Sequence, residues 1–274
     1  MPLDRVLIDP FDLTLPNLPL SLEGFRIVHL SDLHIHRHRG RHRQIAAGLD
    51  LMRVDLAVLT GDYIDRPGDE EVGLKVMGEI CGRLRPRLGT YGVFGNHDTP
   101  TARRCFESLP VHWLNDTCHG LSGVPLQLVG MTTGMTRRPD VVETLLSLGR
   151  DQTGHDTTPG ATADQTVRVL LSHLPTYLPT AADLGVDLMF SGHTHGGQCR
   201  LPRRRVLYNS CDLPLGLTSG LLRHRDTLCA VSRGLGETIL PIRAFCPPHL
   251  PVYTLRRGPM PGRSTDHVVN VMPW

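Results

Sequence analysis

Lysine is almost missing from this chain: Lys75 is the only one, and arginine supplies every other basic side chain. So uniform a shortage reads as composition bias and names no partner, although guanidinium groups also suit bidentate phosphate contacts. Strong net charge is missing too. A balance of +2 over 274 residues is too mild for a chain built around stable nucleic-acid binding, and none is expected. The seven cysteines are scattered, with no C-x-x-C pair. That excludes a disulfide framework and a zinc knuckle and fits a reducing compartment. No basic segment followed by an apolar run opens the chain, and no stretch is long and apolar enough to span a bilayer. A cytoplasmic protein follows as the expectation, with peripheral contact to the inner membrane left open. There is no internal repeat.

What is present is a rhythm of short apolar runs. Phe25 to Leu30, Leu56 to Leu59, Tyr91 to Phe94, Val167 to Leu171 and Asp187 to Phe190 are short and often β-branched, as buried strands are. Segments of helical spacing lie between them: Gln44 to Arg53, Glu70 to Leu84, Thr101 to Leu109 and Pro139 to Leu148. Alternation of this kind predicts an α/β fold, helices covering central β-structure. The last third adds short strand candidates at Gln198 to Leu201, Leu228 to Ser232 and Val252 to Arg256. The polar stretch Gly149 to Thr166 reads as a surface loop, because the pattern resumes unchanged after it. One domain over residues 1–274 is expected, with a core of about 25–256 and short extensions at both ends.

Each of the five strands runs out into residues able to hold a metal: Asp32 and His34, Asp62, Asn96 and His97, His173, and His193 and His195. A single Asp or His after a strand is ordinary turn chemistry. Five in one chain are not, because open α/β sheets bind ligands outside the carboxyl ends of their strands. Asp32-x-His34 and His193-x-His195 each place two side chains on one side of an extended segment. Gly61 and Gly95 allow sharp turns and close backbone approach. Nitrogen and oxygen donors without thiolate favour manganese, iron or zinc. The donors exceed what one four-coordinate ion needs, so two ions sharing a ligand are expected.

In order, Asp32-Leu33-His34, Gly61-Asp62-Tyr63-Ile64-Asp65, Gly95-Asn96-His97-Asp98, His173 and Gly192-His193-Thr194-His195 resemble the five signature blocks of the calcineurin-like metallophosphoesterases. Ser232 to Gly236 and Ile242 to Pro248 resemble the bacterial YaeI/YkuE-type phosphodiesterase branch. That branch includes enzymes that cleave the pyrophosphate of UDP-2,3-diacylglucosamine. The resemblance implies a sandwich of two central β-sheets flanked by helices. It implies one divalent ion, manganese before iron or zinc, on Asp32, His34 and His195, and a second on Asn96, His173 and His193, with Asp62 bridging. It implies His97 beside the leaving group, with Asp98 orienting it, and in-line attack by a metal-bridging hydroxide on a phosphodiester or pyrophosphate. Phosphomonoesterase activity, on proteins or small molecules, is the alternative, and a non-enzymatic scaffold on the same fold is another.

Around these blocks the sequence offers weaker signals. Asp65 reads as a hydrogen-bond acceptor behind a ligand or as a helix cap, ahead of a remote ligand in its own right. His36, Arg37 and His38 are candidates for the substrate-binding rim of the cleft, whereas the basic residues beyond Gly40 read as a solvated helix start. His29 reads as structural, and His155, His224, His249 and His267 as surface residues. Cys199 reads as a buried structural thiol. Leu213 to Leu217 with Leu221 and Leu222 are apolar enough to touch a lipid surface, although core packing is the commoner use.

Overall fold

Period-2 alternation decides the architecture. The computed structural model describes residues 5–132, 166–209 and 211–274. Its strands are β1 (Leu7–Leu15), β2 (Arg26–Leu30), β3 (Leu56–Leu59), β4 (Thr90–Gly92), β5 (His112–Trp113), β6 (Thr117–Gly120), β7 (Leu126–Met131), β8 (Val167–Ser172), β9 (Leu188–Ser191), β10 (Arg200–Leu201), β11 (Arg205–Val206), β12 (Gly220–His224), β13 (Thr227–Val231), β14 (His249–Arg257) and β15 (Val269–Met272). The helices are α1 (Gly40–Asp50), α2 (Glu70–Cys81), α3 (Pro100–Phe106) and α4 (Leu178–Asp183). Two sheets form, ordered β1-β14-β2-β3-β4-β5 and β15-β12-β13-β9-β8-β7-β6, beside a small β10–β11 ribbon.

Ile27, Leu56 and Val58 of the first sheet point inward and meet Leu128, Val169 and Leu188 of the second. Their neighbours Val28, Ala57 and Leu59 point outward and pack against Ile45 of α1 and Val76 and Met77 of α2. On the far side, Leu170 and Met189 pack against Leu178 and Ala181 of α4. Every central strand is therefore covered on both faces, which is why these runs read as continuously apolar. The α/β sandwich expected from the sequence is the fold observed. Two strands outside the expected 25–256 core join the sheets: β1 pairs in parallel with β14, and β15 pairs with β12.

Element boundaries shift for local reasons. Helix α1 begins at Gly40, because the Arg39 N–H donates to His42 Nδ1 at 3.1 Å and caps the first turn. Helix α3 begins at Pro100, with the Thr99 hydroxyl accepting from the Ala102 N–H at 3.0 Å. The helix expected at Pro139 to Leu148 lies outside the described residues, as does nearly all of the loop from Gly149. Strands β2, β3 and β4 are mutually parallel, and so are β8 and β9. Their carboxyl ends carry all the expected metal ligands.

Candidate metal centre

The ligand loops are held in conformations that ordinary residues avoid. Asp32, His34, Asp62, His193 and His195 all have positive φ, between 41° and 70°. Such strain persists only where the surroundings over-determine it, and it gathers at functional sites. Two glycines make the central approach possible. Gly61 sits at φ +94°, and a Cβ there would lie 2.7 Å from Gly95 Cα. The two loops after β3 and β4 thus touch backbone to backbone.

That contact brings Asp62 to the middle of the site. Its Oδ2 lies 3.4 Å from His34 Nε2 and 3.1 Å from His173 Nε2. Around it lie two donor groups, Asp32 with His34 and His195, and Asp62 with His173 and His193, each within 4.8 Å of one another, and His34, Asp65 and His97 form a third. His195 Nε2 is 3.0 Å from His34 Nε2, and His193 Nδ1 is 3.3 Å from His173 Nε2. Asp32 Oδ2 and Asn96 Oδ1 are buried without a hydrogen-bond partner. Buried acceptors in that state are costly unless a cation meets them. The residues present therefore fit divalent metal ions.

The outer atoms of the candidate ligands are also tied. His173 Nδ1 lies 2.7 Å from the Thr60 carbonyl and His34 Nδ1 3.2 Å from Asp65 Oδ1, which leaves both Nε2 atoms facing inward. The His193 N–H donates to Asp32 Oδ1 at 2.9 Å, and the His97 N–H to Asp62 Oδ1 at 2.9 Å. Charge follows from this geometry. Burial opposes protonation of His34, but hydrogen bonds to Asp62 and Asp65 outweigh it and raise its pKa to about 10. At His173 burial again opposes, and Asp62 raises the pKa to about 9. The Asp62 carboxyl, despite burial, is held well below its usual range by His173 and His34. His195 moves the other way, well below the ordinary imidazole value, through burial, His34 and Arg243. Carboxylates that pull two buried rings this far toward protonation make a site suited to cations.

The structure brings together Asp32, His34, Asp62, His173, His193 and His195, and Asn96 lies between Gly95 and His97, whose backbone N–H groups donate to Asp98 and Asp62. Asp98 departs from its expected role. Its carboxylate accepts the backbone N–H groups of Asp62, Tyr63 and Gly95 at 2.8–2.9 Å, so it braces the loop. His97 is oriented instead by the Asp65 carbonyl, 2.6 Å from its Nδ1. Asp65 is thus the acceptor behind His34 rather than a helix cap. His36 lies close enough to Asp65 to help lower its carboxyl pKa, after the larger effect of His34. Arg37 is exposed, and His38 pairs with Glu79 of α2 at 2.9 Å.

Three further expectations are corrected. Arg41 and His42 are buried, not solvated: Arg41 pairs with Glu237 and donates to the Leu235 carbonyl at 3.1 Å. His224 and His249 are buried rather than on the surface, and His155 lies outside the described residues. Cys199 is only half-buried. His29 is buried and bonded to the Thr60 hydroxyl at 2.8 Å, a structural role as expected. Arg243 went unassigned in the sequence, although it falls in the block from Ile242 to Pro248. Its Nη1 lies 3.4 Å from the His195 carbonyl and its Nη2 3.4 Å from His195 Nδ1.

An α/β sandwich that gathers histidine–aspartate groups able to hold metal at the carboxyl ends of its strands is the framework of a metal-dependent phosphoesterase. The chain belongs to the calcineurin-like phosphoesterase family, whose model matches residues 25–197. It is 28% identical over 251 residues to the uncharacterized metallophosphoesterase YkuE of Bacillus subtilis, covering 87% of this chain and 82% of that one. It is 28% identical over 181 residues to the phosphodiesterase YaeI of Escherichia coli, covering 65% and 63%. To the UDP-2,3-diacylglucosamine pyrophosphatase LpxG of Chlamydia muridarum it is 25% identical over 297 residues, covering 87% and 86%. Among solved structures, the NAD nucleotidase NadN of Haemophilus influenzae matches 77% of this chain and 45% of that one, with TM-score 0.50 and 12% identity, a likeness of fold. Among the described residues no helix is long and apolar enough to cross a membrane.

Proposed function

We propose that this protein hydrolyses a phosphodiester or pyrophosphate bond with two divalent cations, manganese first among them. Asp32, His34 and His195 would hold one ion, Asn96, His173 and His193 the other, and Asp62 both. The observation that carries this reading is Asp62 Oδ2 lying within 3.4 Å of His34 Nε2 and 3.1 Å of His173 Nε2, members of the two groups. When bound, such a pair clamps phosphoryl oxygens, acidifies a water and stabilises the charge that develops in an in-line displacement.

The chain's own groups then have defined tasks. Two carboxylates and otherwise neutral donors leave two divalent ions with a net charge of about +2, which attracts an anionic phosphoester. The proton on His97 Nδ1 is engaged by the Asp65 carbonyl at 2.6 Å, so Nε2 is the atom that delivers a proton to the leaving oxygen. Asp98 keeps the Asp62 and Gly95 loops in register through its backbone bonds. His36 and Arg37 stand as rim contacts for the substrate. A lipid-linked pyrophosphate of the UDP-2,3-diacylglucosamine type is the proposed substrate, supported by the similarity to LpxG over 86% of its length.

The test is one panel on manganese-reconstituted protein: bis(4-nitrophenyl) phosphate, 4-nitrophenyl phosphate, nucleotides and the lipid-linked pyrophosphate. Cleavage of the diester and the pyrophosphate ahead of the monoester supports the proposal. Preference for monoesters replaces it with phosphomonoesterase activity, and no turnover on any member with metal bound makes the chain a scaffold.

A further inference from the structure

Large exposed apolar side chains are concentrated on one part of this molecule. Leu201, Leu207 and Tyr208 are exposed around the β10–β11 ribbon, and Ile239, Leu240, Ile242 and Phe245 in the segment before β14. Outside this region and the nearby Leu215, only Leu7, Ile8, Leu20 and Leu51 join them among the described residues. Singly scattered, such residues need no explanation. Contiguous, they mark an interaction surface.

Contiguity is fixed by hydrogen bonds between the two segments. The Arg200 N–H donates to the Ala244 carbonyl at 2.8 Å, and the Ala244 N–H to the Gln198 carbonyl at 3.1 Å. The Gln198 side chain donates to the carbonyls of Thr238 and Leu240, at 3.1 and 2.9 Å. The platform they form starts three residues beyond the metal-ligand candidate His195. At its other end it abuts Gly236, whose N–H donates to the Asp32 carbonyl at 2.6 Å.

Two further features show what kind of surface this is. Ile239 is 86% exposed and sits at φ +62°, and Phe245 is 62% exposed at φ +52°. A β-branched side chain rarely occupies that backbone region, so the fold holds an isoleucine toward water at a conformational cost. The charge is of one sign. Residues 198–208 and 238–246 contain no Asp or Glu, while Arg203 and Arg205 are exposed among the apolar side chains. Both arginines line a cleft of about 470 Å³ together with Val206 and Leu215.

We propose that this platform docks on the surface of an anionic lipid bilayer. Aliphatic and aromatic tips flanked by guanidinium groups match the layering of that surface, where acyl chains begin just beneath phosphate headgroups. A protein partner of the usual kind would instead meet a surface no more apolar than the rest, with a polar rim. Docking sets the metal centre beside the headgroup layer. Access to a lipid-linked substrate there is a consequence that rests on the hydrolytic reading above, whereas docking itself does not.

The experiment is co-flotation of the full chain with vesicles of phosphatidylcholine alone and of phosphatidylcholine with 30% phosphatidylglycerol, roughly a typical anionic fraction. Binding to the anionic vesicles that weakens with salt is the expected result. Replacing Arg203 and Arg205 by Gln lowers the partition coefficient roughly twentyfold to thirtyfold, from the usual electrostatic attraction per arginine. The variant Ile239→Ser/Phe245→Ser abolishes flotation while cleaving a soluble diester as the parent does. An inactive Asp62→Asn protein still floats, which separates docking from catalysis. Absence of flotation with the anionic vesicles overturns the proposal. So does flotation unchanged in the Ser variant, or a concentration-dependent dimer in gel filtration that the same substitutions remove.

Discussion

Glu237→Gln perturbs the point where the arginine-rich tract meets the metal loops. Arg41 is 2% exposed and Glu237 8%. Arg39 Nη1 adds a second contact to Glu237 at 2.8 Å, and Arg41 also donates to the Leu235 carbonyl at 3.1 Å. With the carboxylate neutralised, Arg39 can turn to water, since its side chain is 15% exposed. Arg41 cannot, and a buried guanidinium that loses its anion costs about 3–5 kcal/mol. Against a total stability of about 5–15 kcal/mol, that is a large fraction. The strain reaches the site, because the Leu235 N–H donates to the Ser31 carbonyl at 3.0 Å beside Asp32. Urea unfolding should therefore show a loss of about 3 kcal/mol or more, with weakened manganese binding by calorimetry. Arg41→Met/Glu237→Leu should recover most of the stability, because apolar replacement of a buried pair is often neutral. A loss under about 1 kcal/mol for Glu237→Gln, or a double variant no better than the sum of the singles, would show that Arg41 does not depend on this carboxylate.

Acid sensitivity is a second expectation. Burial, partly offset by Asp9, lowers the His249 pKa from 6.5 to about 4. The unfolded chain therefore binds more protons between those values, and the stabilisation is complete above pH 6.5 and lost as pH falls toward 4. At pH 5 the cost is about 2 kcal/mol, so the stability gap between wild type and His249→Gln should narrow by that amount from pH 7.5 to 5; a constant gap counts against it. Gly95→Ala places a methyl against Asp62, 2.9 Å from its Cγ. It should cut manganese affinity and turnover together, and unchanged affinity would contradict the role given to Asp62. His97→Ala should keep both metals by elemental analysis but lose about 10²–10⁴-fold on poor leaving groups and far less on 4-nitrophenyl esters, as loss of a general acid does. Saturating manganese should raise the unfolding free energy by about 2.7 kcal/mol at a hundredfold excess over Kd, and chelation should remove the gain; equal stability with and without metal would argue against a built site.

Much of the centre was legible in one dimension because its donors sit at strand ends, and strands announce themselves by short apolar runs. Asp32, His34, Asp62, His173, His193 and His195 could be listed from that pattern, and the structure draws these six together. Asp98 was misread for a physical reason. The family resemblance implies that Asp98 orients His97, but the loop turns the carboxylate to three backbone N–H groups and gives His97 the carbonyl of Asp65. For Leu221 and Leu222 the commoner use, core packing, is the one observed: β12 pairs between β13 and β15 and buries both.

The α/β alternation, the candidate donors and their mixed nitrogen–oxygen chemistry are legible in one dimension, because these depend on spacing and residue type within a few positions. Only the tertiary structure decided which charges are buried and which apolar side chains are not. Arg41 is enclosed by Leu235 and Glu237, nearly two hundred residues away, and His249 by Asp9 and Arg233. Ile239 and Phe245 stay in water because bonds from Gln198 and Arg200 hold their loop open to solvent. Burial is a property of the neighbours that folding supplies, and no local pattern encodes it.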